Sequence, residues 1–140
     1  MTGAAEVTFR VLPAVRSATE AFWTGGAEGR LMIHRCRACT RFFHPPASAC
    51  WRCRSTDVGP EEVSGRATVA AYTVNMQPWI PGFPPPYVVA IVELADEPDV
   101  RLTTNIVGCA IEDVHTGLEV QVRFEQWEDV WLPMFAPVPA

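Results

Sequence analysis

No lysine occurs anywhere in the 140 residues. Positive charge rests on arginine alone, and sixteen carboxylates outweigh it to a formal net charge of −5. An acidic chain is a poor nucleic-acid binder unless its basic residues cluster. Long apolar runs are also missing. None reaches the roughly 20 residues of a membrane span, so no membrane is expected among the partners. No signal-peptide pattern opens the sequence, which argues against disulfides and for a cytoplasmic setting. No nucleophile stands with an evident base, so catalysis by this chain alone is not expected.

Only 19% of the residues are charged, while 49% are apolar. Apolar surplus without a membrane segment points to burial against another protein. Thirteen prolines and five tryptophans make much of the backbone extended and stiff.

The clearest feature present is Cys36-Arg37-Ala38-Cys39 followed by Cys50-Trp51-Arg52-Cys53, two C-x2-C pairs ten residues apart. A two-residue gap lets both thiolates of a tight turn face one metal, and two such turns supply four soft ligands. The pattern predicts a zinc ribbon with one structural ion. A redox pair would need a following helix, which is lacking. Iron–sulfur runs are spaced differently. A catalytic zinc keeps an open position, and four cysteines leave none. His34 and His44 lie nearby but the four cysteines already fill the site. Cys109 stands alone and reads as a small buried hydrophobe. Arg30, Arg35, Arg37, Arg41, Arg52 and Arg54 surround the pairs. They offset the thiolate charge, and they equally suit a phosphate-bearing ligand.

Along the chain, residues 1–16 look extended or loose, with residues 1–6 expected to be disordered. Ser17 and Glu20 form a capping box for a short helix that Gly25-Gly26 should stop. Phe22 and Trp23 would anchor it. Leu31–Arg35 and Arg41–His44 read as the ribbon's strands. From Gly65 the texture turns to β. Strands are expected at Arg66–Asn75 with both faces largely covered, and at Tyr87–Leu94 and Val100–Val107. Val120–Glu125 and Val130–Leu132 complete the set. Between the third and fourth there is room for at most one helical turn. Five short strands suit a small Greek-key barrel such as the OB fold. The organisation is thus 1–29 extension and helix, 30–60 zinc ribbon, and 61–140 barrel with tail.

The run Gln77–Pro86 joins the first two barrel strands. Trp79, Ile80 and Phe83 cannot all point inward from a surface loop, and a stiff loop loses little entropy on docking. The carboxylates of Asp96-Glu97-x-Asp99 and Glu125–Asp129 read as solvated turns.

The order of parts resembles a known family. Phe22-Trp23, the two knuckles with Pro45-Pro46 between them, Ser64-Gly65-Arg66, Tyr72-Thr73-Val74, Val92-Glu93-Leu94 and Leu132-Pro133-Met134-Phe135 occur in its sequence. That family joins a rubredoxin-like zinc ribbon to an acyl-CoA-associated OB fold and is known as domain of unknown function thirty-five. The resemblance covers residues 12–137. It implies a mainly β protein that is a non-catalytic subunit of a thiolase-fold enzyme acting on acyl-CoA. The reaction it implies is retro-aldol cleavage in steroid side-chain degradation. Alternatives within the family are a thiolase, an acetyltransferase or a hot-dog-fold enoyl-CoA hydratase complex. Acyl-CoA would lie at the shared interface, with Phe22, Trp23, Trp79, Ile80, Phe83 and Phe135 as contact residues. A single-stranded nucleic-acid binder is the competing reading, disfavoured by charge: residues 66–135 hold only Arg66, Arg101 and Arg123.

Overall fold

A computed structural model describes residues 6–139. The expected disorder of residues 1–6 falls, except for Glu6, outside the described residues. Helix α1 spans Glu20–Thr24 and tightens into a 3-10 turn over Gly25–Glu28. Strands β1 (Leu31–Cys36), β2 (Phe42–Phe43) and β3 (Val58–Val63) form a small sheet in the order β2-β1-β3. Strands β4 (Arg66–Asn75), β5 (Tyr87–Leu94), β6 (Arg101–Ile106), β7 (Glu119–Trp127) and β8 (Val130–Pro137) close a barrel in the order β4-β5-β6-β8-β7. A single 3-10 turn at Ile111–Asp113 lies between β6 and β7, as expected. The mainly β architecture with one short helix and a five-stranded barrel matches the sequence reading.

Several details differ. The capping box does not form. Thr19 Oγ1 accepts from the Arg16 amide and donates to its carbonyl, which holds a turn over 16–19 and delays the helix. The α-helix stops where the glycines begin, with Gly25 as its C-cap, but the chain stays coiled through them as a 3-10 turn. Gly26 lets the 3-10 turn press against Phe124 and Trp131, where any Cβ would collide. The turn ends at Gly29, whose φ of 72° is left-handed.

Strand β3 was not anticipated from its Val-Gly-Pro-Glu-Glu-Val sequence. It pairs with all of β1, from Leu31↔Val63 to Cys36↔Val58. It is an edge strand, where Pro60 is tolerated. Strand β4 is not covered on both faces. It pairs with β7 only over Arg66–Thr68, and beyond a bulge at Val69/Ala71 it has β5 as its one neighbour. Ala71, Tyr72 and Thr73 are consequently exposed. Strand β8 outruns its expected end. It has β7 along one edge and meets β6 at one register pair, Ile106↔Phe135, which leaves room for Pro133 and Pro137.

One core serves most of the molecule. Val69, Val92, Leu94, Val120 and Phe135 fill the barrel, and Phe22, Leu31, Ile33 and Val63 pack into the same cluster. A second, smaller cluster holds Cys36, Cys50 and Phe43, with Cys39 and Val58 against it.

Candidate metal centre and contact surface

The two knuckles are the same turn used twice. Thr40 N donates to the Cys36 carbonyl, and Arg54 N to the Cys50 carbonyl. Thr40 and Arg54 both take left-handed φ, 68° and 65°. Each turn therefore folds its two sulfurs to one side. Cys36 Sγ and Cys53 Sγ lie 3.5 Å apart, Cys39 Sγ and Cys50 Sγ 3.7 Å. All four sulfurs lie within 4.8 Å of one another. An ion bound tetrahedrally at about 2.3 Å requires sulfurs roughly 3.8 Å apart. The cluster fits a four-thiolate ion, with shifts of no more than about an ångström at the wider pairs.

The backbone already favours thiolate. The Cys39 amide holds the Cys36 thiol below its ordinary value, and the Cys53 amide helps to bring Cys50 down to about 7. Cys53 receives the Ser55 amide, which pulls it down. The neighbouring thiols of Cys36, Cys50 and Cys39 outweigh that and, with desolvation, push it up to about 11. A bound cation removes that mutual repulsion. Neither histidine joins the group. His34 packs edge-on to Phe43, and His44 lies against Phe22 at 4.9 Å with its Nδ1 buried and unpartnered. Burial, and secondarily the charge of His34, keeps the His44 pKa low. Cys109 is half-buried outside the cluster, and burial pushes its thiol up.

The arginines around the ribbon are engaged by carboxylates. Arg30 pairs with Glu62, Arg35 with Glu61, and Arg37 with Asp57 and Glu61. Arg41 reaches Glu97 and Asp99, and Arg52 reaches Asp99 at 2.8 Å. Glu97 also accepts from the Phe42 amide. The turn after β5, whose acids read as merely solvated, thus clamps the ribbon to the barrel. Among the described residues Arg54 alone of this group makes no ion pair, which leaves little of a phosphate cradle.

The six expected contact residues do not share one surface. Phe135 is fully buried in the barrel and has no face left for a partner. Its place in the register explains this, because Phe135 pairs with Val122 and Ile106 on the closing strand. Phe22 is buried, with Trp23 edge-on at 4.7 Å. Together with His44, Pro46, Thr103 and Met134 they line an apolar groove of about 590 Å³. The loop splits. Trp79 is 71% exposed and held by its Nε1 donating to Asn75 Oδ1 at 2.8 Å. Ile80 bridges to Phe83, and Phe83 folds back to stack on Tyr87 at 4.2 Å. Exposed Met76 and Tyr72, on the same hairpin as Trp79, were missed. The half-paired end of β4 is the signal that could have found them.

Comparison with known proteins agrees with this construction. Residues 23–59 match the ChsH2 rubredoxin-like zinc ribbon domain, and residues 60–125 match the ChsH2 C-terminal OB-fold domain. The chain is 40% identical over 119 residues to a probable enoyl-CoA hydratase alpha subunit of Thermomonospora curvata. It is 33% identical over 119 residues to the 3-oxo-4,17-pregnadiene-20-carboxyl-CoA hydratase alpha subunit of Mycobacterium tuberculosis. These alignments take in 84% and 85% of this chain but 37% of each relative. A DUF35 domain-containing scaffold protein of Methanocaldococcus jannaschii is 35% identical over 94 residues, 66% of this chain and 65% of the relative. Among solved structures, the Ltp2-ChsH2(DUF35) aldolase has a chain 38% identical in sequence. It superposes with a TM-score of 0.78 over 90% of this chain and 98% of that one. These matches place the chain in the DUF35 family, with a ribbon and an OB-fold domain like those of ChsH2.

Proposed function

We propose that this chain is a non-catalytic accessory subunit, or domain, of a thiolase-fold enzyme that cleaves a carbon–carbon bond in an acyl-CoA. The observation that carries the reading is the likeness to the DUF35 chain of an aldolase over nearly that chain's whole length. The scaffold name of a relative points the same way.

The side chains support a non-catalytic role. Glu97 and Asp99 bind arginines, Asp96 binds Ser64, and Glu125 accepts from Arg10 and Trp127. These carboxylates hold the fold, and the one hydroxyl among their partners, Ser64, also accepts the Arg66 amide and serves the turn into β4. In the partner's retro-aldol step, a β-hydroxyl loses its proton and the Cα–Cβ bond breaks. The electron pair remains at Cα as an enolate, which takes up a proton, and a carbonyl compound leaves. A steroid side-chain acyl-CoA is the substrate class we favour, in line with the pregnadiene-carboxyl-CoA named for a relative. The ion in the knuckles is zinc, and its role is to fold the ribbon. Four thiols kept reduced for a metal suit the cytoplasm. Among the described residues no helix is long and apolar enough to cross a membrane.

A second reading is a part of an enoyl-CoA hydratase complex with a hot-dog-fold partner. The hydratase names of the two relatives favour it, although this chain spans only 37% of their length. Nucleic-acid binding loses support because most ribbon arginines already face carboxylates.

Trp79 is the residue through which we expect the partner to be held. Its exposed ring is fixed in place before any docking. Co-expression with a thiolase-fold aldolase subunit of the Ltp2 kind tests the reading, by mass in solution and by retro-aldol turnover. A heteromer active only when both chains are present is expected, with Trp79→Ala weakening it about tenfold or more at unchanged zinc content. A monomer indifferent to that protein would overturn the proposal.

A further inference from the structure

The segment before α1 has no regular secondary structure, yet it is fastened. The amides of Thr8 and Phe9 both donate to the Gly82 carbonyl, at 2.7 and 3.1 Å. Arg10 turns inward until its side chain is 9% exposed. Its Nε donates to Glu125 Oε1 at 2.8 Å, and its Nη1 to Asn105 Oδ1 at 3.0 Å. Its guanidinium lies 4.5 Å over the Phe83 ring. Both acceptors are themselves fixed. Glu125 Oε1 also takes the Trp127 indole N–H, and Asn105 Nδ2 donates to the Val88 carbonyl. A buried guanidinium with two side-chain acceptors and an aromatic platform is a costly arrangement for a loose tail.

The neighbouring residues alternate. Arg10 and Leu12 face the molecule, and Phe9 and Val11 face outward at 48% and 74% exposure. Thr8, exposed beside Phe9, is the one polar side chain on this outward face of residues 7–12, which lies beside the loop that carries Trp79. Contact there is close enough that a Cβ on Gly82 would meet Phe9 Cβ at 2.7 Å. Beneath strap and loop is a cavity of about 800 Å³, walled by Val7, Arg10, Phe83, Tyr87 and Ile111. The segment roofs this barrel mouth.

We propose that residues 7–12 form a strap fastened by Arg10, and that strap and proline-rich loop present one apolar surface, Phe9, Val11 and Trp79, to the partner enzyme. The proposal rests on the accessory-subunit reading, since continuity with the Trp79 loop is what selects that occupant. Arg10 is a positioning residue, because it acts through Phe83 and Gly82 and does not itself reach the surface.

The test uses the whole chain and the same Ltp2-type thiolase-fold enzyme. Phe9→Ser with Val11→Ser changes only exposed side chains. Zinc content and urea midpoint should hold while the dissociation constant rises about tenfold or more. Arg10→Ala should accelerate amide exchange at Thr8, Phe9 and Phe83 in the free chain. Its effect on binding should be less than additive with Trp79→Ala. If the Phe9/Val11 variant binds as well as wild type while Trp79→Ala does not, the strap is excluded and the accessory reading stands. If that variant abolishes a dimer of this chain and leaves enzyme binding intact, the surface belongs to a second copy and the proposal fails. Unchanged exchange in Arg10→Ala removes the fastening role without any partner being needed. A wild-type chain that does not bind the enzyme overturns both readings.

Discussion

The knuckle end and the barrel are held by different physics. In the barrel, side chains such as Val92, Val120 and Phe135 are lost to water altogether, and stability grows with apolar area. At the knuckles the buried cluster is three residues, two of them cysteine. So small a core does not hold two left-handed turns and four converging thiols on its own. A metal bound by the four thiols would take the place of the missing core. One chain of ordinary length can thus carry a region whose stability is chemical and a region whose stability is solvation-driven. Conditions can act on them separately.

The largest effect should come from the metal ligands. Cys39→Ser is expected to drop zinc from one ion per chain to near none, because structural zinc contributes on the order of 10 kcal/mol in small metal-held folds. Amide protection should vanish around β2 and the knuckles and persist in β5 and β7. Full zinc content in the variant would remove the four-thiolate assignment. Loss of protection throughout would show that the two regions unfold as one. The reverse experiment is Phe135→Ala, which opens a cavity in the barrel and should cost about 3–5 kcal/mol in urea unfolding. Zinc stoichiometry in that variant's native state should be unchanged.

The smallest effect lies at the seam between the regions. His44 packs on Phe22, and burial holds its pKa below the ordinary 6.5. On acidification the unfolded chain therefore takes up this proton first. Stability from His44 is fully present above pH 6.5 and is lost as pH falls below it. His44→Phe should flatten the difference in urea midpoint between neutral and mildly acid buffer. Acid loosens zinc in both proteins, so the informative quantity is the wild-type slope minus the variant slope. Equal slopes would place the acid sensitivity wholly in the thiolates.

The same contrast explains what was legible in the sequence. Metal ligands are read from spacing, because a tetrahedral ion dictates it, and the four cysteines converge as the two C-x2-C pairs implied. Strands β4 and β5 were legible because β-branched runs end where turn residues begin. Strand β3 was not, since its reason for existing is the whole length of β1 beside it. The aromatics show the limit most clearly. Trp79 and Phe135 both sit among prolines, yet one is exposed and one fully buried. Pairing on a closing strand decides that, and it is a long-range fact. The fastening of Arg10 is longer in range still, since its acceptors lie 95 and 115 residues away.

Strand β1 belongs to both regions. Leu31 and Ile33 enter the large core, and Cys36 enters the metal cluster at the strand's other end. The separation is five residues, roughly 16 Å at the rise of a strand. Because side chains alternate, inserting or deleting one residue here would turn Leu31 and Ile33 to the wrong face or aim Cys36 away from the ion. Between the knuckles, Arg41–His44 are likewise pinned, by β1, Glu97 and Phe22, and only residues 47–49 are free of such a register. The strand works as a ruler. Length variants of this protein should collect between Pro46 and Cys50 and stay out of Leu31–Cys36 and its partner Phe42–Phe43, whatever happens to the individual side chains.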